Sequence, residues 1–71
     1  MVSLLIGWTK GYVMNVLSVL KREFPLARVI ELEADGLWRV YVGDEYYEEI
    51  YAYAVKGNKL VYVGLTVVDA A

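Results

Sequence analysis

The chain has 71 residues, a formal net charge of −2, and neither cysteine nor histidine. Those absences exclude disulfides, thiolate zinc sites, cysteine nucleophiles and histidine general bases, so any metal would have to be held by carboxylates alone. Seven basic and nine acidic residues are interspersed, without a basic run to attract a phosphate backbone.

Hydrophobic residues make up 59% of the chain, and on a like count the share stays above the roughly 45–50% of ordinary domains. One domain over residues 1–71 is expected, and a chain of this size buries only about 60% of its unfolded surface. The excess apolar surface therefore calls for a cover: a second copy, another protein, or a membrane. Glutamine is missing, while asparagine and methionine each occur twice. That depletion of labile side chains fits a thermophilic protein.

The N-terminal residues are apolar, yet the first charge, Lys10, follows the apolar stretch instead of preceding it, unlike a signal peptide. Lys10, Gly7 and Gly11 also interrupt the run of about 20 apolar residues that a membrane helix requires. The expectation is a soluble, cytoplasmic protein. "VSLLIGW" reads as a short strand or as a first helical turn, and the strand is preferred.

Thr9 to Phe24 carries a helical period. Val13, Val16, Leu17, Leu20 and Phe24 form one stripe, while Asn15, Ser18, Lys21 and Arg22 fall opposite. Thr9 suits an N-cap, and Pro25 ends the helix because the residue before proline is pushed out of the α region.

After Pro25 the period becomes two. "ARVIELEADGLWRVYVGD" predicts a hairpin about Asp35–Gly36. A three-residue loop, Ala34 to Gly36, pairs Leu32 with Trp38, Glu31 with Arg39 and Ile30 with Val40, which puts the apolar residues on one face. "EEIYAYAVKGNKLVYVGLTVV" predicts a second hairpin with a two-residue Gly57–Asn58 turn. That turn pairs Val55 with Leu60, Ala54 with Val61, Tyr53 with Tyr62, Ala52 with Val63 and Ile50 with Leu65. "VYVG" occurs in both hairpins, and both registers turn its valines one way and its tyrosine the other. The valines are expected under the helix, with Ile50, Ala52 and Ala54 beside them.

Catalytic candidates are few. Ser18 with Lys21 one turn on is ordinary surface spacing, and no nucleophile elbow, P-loop or dinucleotide fingerprint appears. Asp44, Glu45, Glu48 and Glu49 cluster between the hairpins. Paired carboxylates can do acid/base work or hold a hard cation, but the glycine-spaced pattern of a calcium loop is missing. Neither catalysis nor a cofactor or metal is expected.

Seven tyrosines are the compositional outlier. With the registers above, Tyr41, Tyr51, Tyr53, Val55, Leu60 and Tyr62 share the sheet face away from the helix. An aromatic face can stack bases, but nucleic-acid binders surround such rings with Lys and Arg, whereas this face offers Glu31 and Glu33 against Arg39. Tyrosine is also enriched where proteins meet. A homodimer through that face, or a contact with another protein, is preferred to nucleic acid.

"LKREFPLARVIELEADGLWRVYV", a helix ending near Phe-Pro, then a strand, an acidic-Gly turn and an aromatic-rich strand, resembles a PepSY-type module over about a third of the chain. That resemblance implies a small α+β unit and a propeptide-like regulator of a peptidase, with no functional residue to carry over. The helix-plus-hairpins order is also similar to the cystatin-like architecture. That family's Q-x-V-x-G loop is not met, because Arg39 stands where "RVYVG" would need glutamine. The expected fold is α+β: one amphipathic helix packed on an antiparallel sheet of two hairpins, with room for a fifth N-terminal strand. The expected function is a small non-catalytic interaction or assembly module. A nucleic-acid-binding protein and a peptidase regulator are the alternatives.

Overall fold

The computed structural model of the chain describes residues 15–69. The expected N-terminal strand, the Thr9 cap and Val13 lie outside the described residues. Residues 15–23 are helical, and the Phe24 N–H donates the last helical hydrogen bond to the Leu20 carbonyl at 2.8 Å before Pro25 ends the run. Val16 and Leu20 are buried, Leu17 and Phe24 flank them, and Asn15, Ser18, Lys21 and Arg22 are exposed or nearly so. The amphipathic stripe read from the period-3.6 spacing is present from Val16 to Phe24.

Four strands follow: β1 (Val29–Leu32), β2 (Trp38–Gly43), β3 (Tyr47–Lys56) and β4 (Lys59–Asp69). They pair antiparallel in the order β1-β2-β3-β4, each with its chain neighbour, so the described architecture is α+β with an antiparallel meander.

The first hairpin has the expected register, with Ile30 opposite Val40, Glu31 opposite Arg39 and Leu32 opposite Trp38. The Glu33 N–H donates to the Leu37 carbonyl at 2.9 Å, which closes the three-residue loop. Gly36 takes φ +85° in that loop, a conformation that a Cβ would strain. The Asp35 carboxylate adds a hydrogen bond from the Leu37 N–H at 3.0 Å.

The second hairpin follows its expected register only near the turn. Val55 faces Leu60, Ala54 faces Val61 and Tyr53 faces Tyr62. Gly57 has φ +63° and no described non-glycine residue has a positive φ, which identifies a type II′ turn with glycine in its first central position. Beyond Tyr53 the ladder shifts. Ala52 faces Gly64 and Ile50 faces Thr66, so the expected pairs Ala52–Val63 and Ile50–Leu65 do not form. Val63 is the extra residue of a bulge beside Gly64.

The join between the hairpins overturns the expected facing of β3. Val40 lies opposite Tyr51, Trp38 opposite Tyr53, Arg39 opposite Ala52 and Tyr41 opposite Ile50. Directly opposed residues share a face. Tyr51 and Tyr53 therefore stand with Trp38 and Val40 on the helix side, while Ile50, Ala52 and Ala54 stand with Tyr41 on the other. Phe24 explains the preference. Its ring lies 4.9 Å from that of Tyr51 and 6.0 Å from that of Tyr53, centroid to centroid. Two tyrosine rings bury far more apolar surface against it than two alanines could.

The core among the described residues is Val16, Leu20, Trp38 and Val40, with Ile30, Val42, Tyr51, Tyr53, Val55 and Leu60 packed around it. The two copies of VYVG thus end differently. Val40 is fully buried, whereas Val61 is exposed on the face away from the helix.

Candidate functional site

The tyrosine-rich patch expected on one free face is divided by the sheet. Tyr51, Tyr53, Val55 and Leu60 flank the core on the helix side, and Tyr62 continues that side outward from Tyr53, with ring centroids 5.7 Å apart. Tyr41 alone lies on the opposite face, beside Val29 and Ile50. Burial is the first cause that raises the Tyr53 phenol above its ordinary value, as expected for a ring drawn into the packing. Tyr51 is raised first by donating to the Glu49 carboxylate, at 3.0 Å. Two of the rings suited to base stacking are thus engaged with Phe24.

On the face away from the helix, Arg39 organises a polar corner. Its guanidinium donates to Glu33 at 2.8 Å and to Asp35 at 3.0 Å. Glu31, although opposite Arg39 in the ladder, is not its described ion-pair partner. The Tyr41 hydroxyl donates to the other Glu33 oxygen at 2.5 Å. That hydroxyl, and then Arg39, hold the Glu33 carboxyl below its ordinary value, and the same bond raises the Tyr41 phenol. The sequence pattern found Arg39 and an acidic partner but missed the tyrosine that shares the carboxylate. Tyr41 and Glu33 become neighbours only because the hairpin returns.

The acidic cluster between the hairpins is dispersed. Asp44 accepts the Tyr46 and Tyr47 N–H groups at 2.8 and 3.1 Å, which shapes the β2–β3 connection and lowers its pKa. Glu48 pairs with Arg28. Glu49, on the opposite side of β3, accepts from Tyr51. Among the described residues no group of three or more carboxylates gathers to hold a metal ion. A shallow groove at the helix end, lined in part by Leu17, Lys21, Phe24 and Arg28, holds no carboxylate. No described helix is long and apolar enough to cross a membrane.

Exposed apolar side chains concentrate on β4. Val61, Tyr62, Val63, Leu65, Val67 and Val68 are all exposed, and they belong to both sides of the sheet. Leu65 and Val67, opposite Tyr51 and Glu49, continue the helix side, while Val61 and Val68, opposite Ala54 and Glu48, lie on the other. This strand, more than a tyrosine face, is the surface that lacks a cover among the described residues. No protein-family model, curated protein or solved structure matches the chain.

Proposed function

We propose that the chain is a small non-catalytic interaction module that assembles with a second copy of itself through the β4 side of its sheet. The observation that carries this reading is the run of six exposed apolar side chains on β4, Val61 to Val68, among the described residues. Tyr62 keeps its place in the contact. It is 53% exposed and stands at the outer end of the Phe24–Tyr53–Tyr62 aromatic row. Tyr51, Tyr53, Val55 and Leu60 support that surface from beneath instead of forming it, and Tyr41 belongs to the polar corner on the other face.

The absence of catalysis in this reading rests on how the acids are used. Asp44, Glu48, Glu49, Glu33 and Asp35 each have a structural partner, which supports a structural use for these five carboxylates over proton exchange with a substrate. Sedimentation velocity from low to high micromolar concentration tests the module. The mass is expected to rise from one chain to two across that range. A mass of one chain throughout overturns the reading.

A further inference from the structure

We draw no further inference here: the strongest candidate, the outer edge of β4 from Lys59 to Asp69, belongs to the surface already described, and nothing in the structure shows what covers its main chain.

Discussion

At the scale of single residues, the Glu33 carboxylate shows how a small surface network becomes pH-dependent. Tyr41 and Arg39 lower its pKa, and the Leu37 N–H and then Arg39 lower that of Asp35. A carboxyl with a lower pKa folded than unfolded contributes stability that is complete above its ordinary value and is lost as pH falls through the folded one. Tyr41 has the opposite sign. Its raised phenol contributes stability that is complete below the ordinary value of 10.0 and is lost as pH rises through the folded one. Thermal melts should therefore fall off in acid and again in alkali. Tyr41→Phe should blunt both losses, though only in part, since Tyr51 is also raised. A variant with unchanged pH dependence would show that the hydroxyl does not hold the carboxylate. The glycines give a second contrast. A Cβ at Gly43 would lie 2.8 Å from the Glu48 Cα and from the Tyr47 carbonyl oxygen, so β3 must shift to admit it. At Gly64 it would meet nothing within 4 Å, and the backbone is not left-handed. Gly43→Ala should destabilise by roughly 1–3 kcal/mol, and Gly64→Ala should stabilise by roughly 0.5 kcal/mol through reduced chain entropy. Urea denaturation of the two variants checks the ordering.

At the scale of elements, the helix and the first hairpin were legible because each pattern had one solution. Val16, Leu17, Leu20 and Phe24 recur on a single stripe, and only a three-residue loop gathers Ile30, Trp38 and Val40 on one face. Burial within that register was less legible. Leu32 faces Trp38 as expected, yet it is 48% exposed, because it ends a four-residue edge strand. The structure thus makes Leu32→Glu a mild change, under about 1 kcal/mol. Leu20→Ala, at a side chain only 1% exposed, should cost about 2–5 kcal/mol. Equal sensitivity at the two positions in chemical denaturation would contradict this packing. The facing of β3 could not be read, since the strand is apolar on both sides: Ile50, Ala52 and Ala54 on one, Tyr51, Tyr53 and Val55 on the other. Either parity satisfies alternation, and the choice falls to Phe24, distant in sequence. The connection that sets the parity is built on the Asp44 carboxylate, with no glycine turn to announce its length. The bulge in β4 escaped for the same reason. A one-residue slip there exchanges Val63 for Gly64, Leu65 for Thr66 and Val67 for Val68 and buries no charge, so only Gly64 within the strand marked the irregularity.

At the scale of the whole molecule, folding and association should be linked. Only four described side chains are buried, and a chain of 71 residues has little surplus stability with which to maintain a bare apolar strand. Anything that binds the folded form and not the unfolded one raises apparent stability by mass action, so the melting temperature of a self-associating chain climbs with its own concentration. Two variants separate the core from the contact. Leu20→Ala weakens the helix–sheet core and leaves the exposed side chains of β4, Val61 to Val68, in place, so its melting temperature should fall at every concentration while the concentration slope persists. Val67 is 57% exposed and lies opposite Glu49 on the helix side of β4. Val67→Lys adds a charge to the surface that associates without disturbing a buried side chain, and it faces a carboxylate across the ladder. Its melting temperature should match the wild type at the lowest concentration, where both are monomers, and should then stay flat as the wild type rises. Scanning calorimetry over a wide concentration range reads both effects. A wild-type melting temperature independent of concentration, or a Val67→Lys variant that keeps the full slope, would show that the exposed apolar residues of β4 are not what joins the copies.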